Sequence, residues 1–183
     1  MTDTGTDARG IDIYTDGGAV PNPGRGGWGV VFVMDGVQKK TRSGAIDHAT
    51  NNEAEITAAI RAVETFTRPS AFTIISDSEY LIKSMSVWIP KRGTAGKANA
   101  HLFNRLLEIC EQHTITWRWV KAHNGNRFNE RADQLATERI FDGMACEACE
   151  QKLESNQIDF DWPARQIICG LCGETFPMSD VYG

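Results

Sequence analysis

The chain has 183 residues, enough for one domain with a real core and a small appendage. At 41% hydrophobic and 23% charged it is ordinary for a globular protein; no run nears the roughly 18–20 apolar residues of a membrane span, and no charged-then-apolar leader opens it, so the expected place is the cytoplasm. The net charge of −5 is uneven: residues 1–143 carry 17 Lys+Arg against 17 Asp+Glu, and residues 144–183 carry two against seven, so a neutral body that can still present a basic surface precedes an acidic end.

Residues 1–9 are polar, lack apolar periodicity and read as a disordered leader. Ile11–Asp16 reads as a strand that stops at Gly17-Gly18, followed by a loop over 19–27 and a second strand over Trp28–Met34. Asp35-Gly36 is a two-residue hairpin signal, so Val37–Gly44 should return antiparallel. Thr50 and Glu53 have capping-box spacing, and Ile56, Ile60, Val63 and Phe66 repeat at helical spacing until Pro69. Ala71–Ser76 is apolar, as a central parallel strand tends to be, and a short helix should run from Asp77-Ser78 to about Ser86.

A small basic loop is expected over Trp88–Lys97, then a helix over Asn99–Gln112 with Leu102, Leu106 and Ile109 inward. Cys110 falls in that apolar run and reads as simply buried. Ile115–Val120 reads as a fifth strand, and Asn129–Ile140 as the last helix. This order predicts an α/β fold, a five-stranded mixed sheet with helices on both faces.

Four carboxylates stand where strands end or helices begin: Asp16, Glu55, Asp77 and Asp133. Each alone has a plainer reading, as a turn residue, a helix-start acid or an N-cap. With the first and fourth strands adjacent, all four would meet at one sheet edge. Clustered carboxylates repel and raise one another's pKa unless a cation compensates them, and an all-oxygen set suits Mg²⁺ or Mn²⁺. Two such ions form the standard device for displacement at a phosphodiester. His123, on a Gly/Asn-rich loop before the last helix, suits proton handling or metal chemistry.

Several motifs in fixed order resemble ribonuclease H of type 1. They are Tyr14-Thr-Asp16-Gly-Gly, Asn22-Pro-Gly, Gly26-Gly-Trp-Gly29, Thr50-Asn-Asn-Glu-Ala-Glu55, Ser76-Asp77-Ser-Glu-Tyr80, Trp117-Arg-Trp-Val-Lys-Ala-His123 and Asn129-Glu-Arg-Ala-Asp133-Gln-Leu-Ala136. The resemblance covers about residues 10–142 and implies the ribonuclease H-like fold. It also implies an endonuclease that cuts the RNA strand of an RNA·DNA hybrid, leaving 3′-hydroxyl and 5′-phosphate ends. By motif position Asp16, Glu55, Asp77 and Asp133 would bind two Mg²⁺ (or Mn²⁺), and His123 would assist. Gly17, Gly18, Asn51 and Glu55 would sense 2′-hydroxyls; Asn22 and Asn51 would hold backbone phosphates; Glu79, Trp88 and Asn129 are further expected substrate contacts.

The match has departures. Glu79 stands where the family often has Gln, and the basic loop holds only Lys91, Arg92 and Lys97, which implies weaker hybrid binding with a shallower salt slope. Trp88 is either core or the aromatic edge of the DNA-strand groove. His48, His101 and His113 lack motif context and read as surface or structural. A non-catalytic hybrid-binding module is the rival reading, but it has no need of four costly carboxylates. A relative acting on another nucleic acid would share the site.

The resemblance ends near residue 143, and residues 144–183 read as a zinc-ribbon-like extension. Cys146-x2-Cys149 and Cys169-x2-Cys172 are separated by 19 residues, the spacing of a closed four-thiolate Zn²⁺ site of structural type. Disulfides and a redox dithiol are the alternatives; without a secretory signal stable disulfides are disfavoured, and no thioredoxin-like pattern surrounds either pair. About forty residues cannot bury a self-sufficient core, so a metal would account for their folding. Their acids would repel phosphate, so the extension is expected to stabilise or to contact a protein partner. The chain is expected to act as a monomer.

Overall fold

A computed structural model describes residues 10–144, 148–154, 157–161, 164 and 166–177. The expected leader, residues 1–9, and Cys146 lie outside these. Strands β1 (Ile11–Val20), β2 (Gly24–Met34), β3 (Val37–Ala49), β4 (Ala71–Ser76) and β5 (Thr114–Trp119) form one sheet in the order β3-β2-β1-β4-β5. β1, β2 and β3 pair antiparallel, and β4 runs parallel to both β1 and β5, so the expected mixed sheet is present.

The strands separate two apolar layers by their period of two. Ile13, Val30 and Ile74 face helices α1 (Asn51–Val63) and α4 (Ala100–Cys110), together with Ile56, Ile60, Phe103 and Leu106. Their neighbours Tyr14, Val31 and Ile75 face α5 (Arg127–Phe141), with Ala132 and Leu135. Burying a side chain such as Ile74 stabilises the fold by roughly 1.5–3 kcal/mol over leaving it in water. Trimming Ile74 to alanine would open a cavity in the layer under α1 and α4.

Local chemistry sets the ends. Asp35 (φ 54°) and Gly36 (φ 71°) form the hairpin turn that the sequence signals, since its twist matches that of the flanking strands. Thr50 N donates to Glu53 Oε2 at 2.7 Å and Glu53 N donates to Thr50 Oγ1 at 3.3 Å, which closes the capping box of α1. Asn126 caps α5 by accepting from Phe128 N at 3.2 Å and Asn129 N at 3.3 Å.

Three expectations need correction. β1 does not stop at Gly17-Gly18: its pairing with β4 ends at Tyr14↔Ile75, but its ladder with β2 continues to Val20↔Arg25. The expected loop over 19–27 therefore shrinks to a turn at 21–23, and β3 runs on to Ala49. The run after Ser78 goes beyond Ser86 through α2 (Glu79–Lys83), a π-helical turn (Ser84–Trp88) and α3 (Ile89–Arg92), so half of the expected basic loop is helical. Pro90 falls in the first turn of α3, where its missing N–H costs least.

The extension carries a second, three-stranded antiparallel sheet: β6 (Ile158–Asp161), β7 (Gln166–Cys169) and β8 (Thr175–Pro177). Its apolar residues Leu153, Ile158 and Ile167 form one cluster with Val20 of β1 and Ile140 and Phe141 of α5. It thus borrows its core from the body.

Candidate active site

Close approach of helix to sheet gathers the acids. A Cβ on Gly17 would stand 2.4 Å from the Ala54 carbonyl and 2.7 Å from Glu55 N, so only glycine lets α1 bring Glu55 beside Asp16. On the other face, a Cβ on Gly29, which pairs with Asp16 across the sheet, would stand 2.2 Å from Ala132 O and would push away the turn of α5 that carries Asp133. Asp77 follows directly on the end of β4.

These placements line a cleft of about 180 Å³ with Asp16, Gly17, Gly18, Asn51, Glu55 and Asp133, closed below by Ala136, Thr137 and Ile140. Asp77 is not among the lining residues, yet its charge acts on both Asp16 and Glu55. Burial, then Asp77, Asp133 and Glu55, push the Asp16 carboxyl well above its usual range, and only the Gly17 N–H, 2.8 Å from Oδ1, opposes them. Burial pushes Glu55 up to about 7, against the Ser78 hydroxyl, which donates to Glu55 Oε2. No cation is among the groups that shift either acid. A hard divalent ion is what such an all-oxygen donor set lacks, so the residues present fit one.

Neighbours hold the acids in place. Asn129 Nδ2 donates to Asp77 Oδ2 at 2.9 Å, and Trp119 Nε1 donates to the Asp77 carbonyl at 2.9 Å. Asn129, expected as a substrate contact, is 2% exposed, so its bond to Asp77 is made out of solvent. Ser78 both caps α2, accepting from Leu81 N at 3.2 Å, and orients Glu55. The sequence offers the cap; the contact with Glu55, 23 residues away, has no local signal.

The other expected residues are spread around this cleft. Asn51 Oδ1 accepts from Ala19 N at 2.8 Å and Asn51 N donates to Asn22 Oδ1 at 3.1 Å, so the two asparagines form one exposed corner beside the cleft. His123 stands on an exposed turn with φ 48°, and the same loop is tied down by Gly125 N donating to Glu130 Oε1 at 3.1 Å. Glu79 is exposed and paired with Lys83 at 2.5 Å, so its charge is partly answered within α2. Trp88 is 40% exposed, and Lys97 Nζ lies 4.6 Å from the ring centres of both Trp88 and Tyr80. That cluster makes a cationic, aromatic edge, neither core nor free loop.

His113 packs against Phe66 and Phe72, and His48 and His101 are exposed, as expected of structural and surface residues. Burial raises the Cys110 thiol to about 12, which makes it inert. In the extension, Cys149, Cys169 and Cys172 bring three Sγ atoms within 4.8 Å of one another. Among the described residues no three of the acids gather so closely.

Residues 8–141 match the family model described as RNase H. A protein named Ribonuclease H from Granulibacter bethesdensis is 43% identical over 141 residues, covering 73% of this chain and 93% of its own. Another of that name from Gluconobacter oxydans is 45% identical over 135 residues, covering 69% and 89%. Among solved structures, LC11-RNase H1, crystallised in complex with an RNA/DNA hybrid, superposes with a TM-score of 0.59 at 29% identity, covering 71% of this chain and 96% of that one. The family match ends at residue 141, short of every cysteine of the extension.

Proposed function

Because this chain belongs to the ribonuclease H family, as a nuclease of type 1, we propose that its acid cleft hydrolyses the RNA strand of RNA·DNA hybrids and leaves 3′-hydroxyl and 5′-phosphate ends. One observation carries the reading: Asp77, Asp133 and Glu55 all push up the buried Asp16 carboxyl and Asp77 pushes up Glu55, so acids from β1, α1, the end of β4 and α5 bear on one another. A merely binding module gains nothing from that repulsion.

Asp16, Glu55, Asp77 and Asp133 would hold two Mg²⁺ or Mn²⁺. Such ions, when bound, lower the pKa of a water and stabilise charge on the departing oxygen. The protein's own part is to fix three of the four carboxylates before substrate arrives. Gly17 N–H holds Asp16, Ser78 holds Glu55 and Asn129 holds Asp77. Glu55, pushed up to about 7, carries a proton for much of the time near neutrality. His123, on its exposed turn, would hand a proton to the leaving oxygen or help product depart. Gly17, Gly18 and Asn51 border the acids at the cleft wall, where a 2′-hydroxyl tells RNA from DNA.

The hybrid would lie on the body. Trp88, Arg92 and Lys97 line a shared hollow of about 260 Å³ that suits an aromatic and phosphate contact, while Glu150, Glu154, Asp159 and Glu174 leave an acidic, exposed face on the extension.

The test is cleavage of a hybrid labelled on each strand in turn, wild type beside Asp77→Asn. We expect the RNA strand alone to be cut, and the substitution to slow cutting by about three orders of magnitude, the loss of several kcal/mol of transition-state stabilisation. A wild type that binds hybrid but cuts nothing in Mg²⁺ or Mn²⁺ would sink the reading.

A further inference from the structure

We propose that Cys149, Cys169 and Cys172 hold a Zn²⁺ through their thiolates, and that this ion fastens the C-terminal extension onto the last turn of α5. The inference stands apart from hybrid cleavage and does not depend on it.

Geometry supports the metal. The three sulfurs lie within 4.8 Å of one another, and Cys149 and Cys169 are 3.9 Å apart. A tetrahedral ion with Zn–S bonds of about 2.3 Å sets its sulfurs about 3.8 Å apart, whereas a disulfide needs about 2.05 Å. The turn after β7 is shaped to present two of them. Gly173 N donates to Cys169 O at 2.7 Å, Cys169 N donates to Glu174 O at 2.8 Å, and Gly173 takes φ 79°, a conformation a side chain would strain. Thiolates are soft ligands that select zinc over the hard ions of the acid cleft. Cys169 is buried and Cys172 exposed, so an ion could enter from the solvent side.

Energetics supports the need for it. The extension's strands are four, four and three residues long, too little to hold themselves together. What holds them to the body is specific. Leu153, Ile158 and Ile167 bury Ile140 and Phe141, and Phe141 meets the Phe160 ring at 6.2 Å. Gly143 N donates to Leu153 O and Leu153 N to Met144 O, both at 2.7 Å. Ile140 also closes the acid cleft from below. The ion thus sits at one end of a packed path whose other end is a catalytic wall.

The experiment uses the full chain. Metal content is measured after purification without chelator, zinc is exchanged for Co²⁺ for its absorption spectrum, and amide hydrogen exchange is followed in excess Mg²⁺ with and without zinc. We expect one zinc per chain, a thiolate-to-cobalt charge-transfer band, loss of both in Cys169→Ser/Cys172→Ser, and faster exchange over 138–144 after zinc removal while β4 keeps its protection. Absence of stoichiometric zinc in the wild type, with no thiolate band when Co²⁺ is added, overturns the site. Because that reading comes from the unaltered chain, a variant that fails to fold cannot obscure it. Bound zinc whose removal leaves exchange over 138–144 unchanged overturns the fastening.

Discussion

The two ends of α5 carry two opposite ways of arranging anionic ligands. In its first half, Asp133 joins Asp16 and Glu55 in lining an open cleft, and the latter two are pushed up in pKa, partly by the charge of Asp77. Past its end, three thiols are drawn within 4.8 Å of one another, one of them fully buried. On the proposals above, the first arrangement would leave room for substrate and ions to exchange, and the second would close around one ion and keep it. Carboxylates held apart at a cost in stability suit turnover, and thiols held together suit folding.

If the two ends differ in this way, they should respond oppositely to loss of a ligand. The largest stability effect should come from Cys169→Ser, which removes a buried ligand from the extension's only proposed staple. We expect a loss of about 2–4 kcal/mol in urea unfolding of the zinc-loaded chain, confined to the transition that melts the extension if it melts separately.

The acid end should show itself in pH. Glu55 binds its proton more tightly folded than unfolded, rising from 4.5 to about 7. Its contribution is therefore fully present below about 4.5 and lost as pH rises to about 7. Chelated of Mg²⁺, the chain should lose on the order of 2 kcal/mol across that window, and Mg²⁺ should restore it at the upper end. Denaturant melts at stepped pH would check this, and stability that rises with pH across the window would contradict it.

The smallest of these effects belongs to Ser78→Ala. It removes both the cap of α2 and the hydroxyl that steadies the Glu55 carboxylate, so we expect about 1 kcal/mol of destabilisation and a Glu55 titration that moves further upward. The acidic limb of the cleavage–pH profile should move with it. A capping role alone would lower stability and leave that limb where it was.

Much of this comparison is legible in the sequence, and the rest is illegible for definite reasons. The four acids, the capping box at Thr50, the hairpin at Asp35-Gly36 and the paired Cys-x2-Cys spacings are local signals, and each stands where its element places it, Cys146 lying outside the described residues. Gly17 and Gly18 misled because glycine signals a turn when read locally; here Gly17 serves a close crossing by α1, which only the tertiary fold reveals. Asn129 likewise reads as a polar residue free to touch substrate, because burial against Asp77 depends on two elements 52 residues apart. The sharing of Val20, Ile140 and Phe141 with the extension has no sequence signature either, since an apolar helix end looks the same whatever covers it.

The most direct test of the central claim compares the metal-free stability of wild type and Asp16→Asn, then repeats it in Mg²⁺. Asparagine keeps the oxygen that accepts from Gly17 N and removes the charge that burial and three neighbouring acids oppose. We predict a variant more stable than wild type without metal, by roughly 0.5–2 kcal/mol, and a wild type that gains more from Mg²⁺ than the variant does. A metal-free variant less stable than wild type, with equal gains from Mg²⁺, would show that Asp16 serves the fold and that the cleft is not an acid set held in readiness for cations.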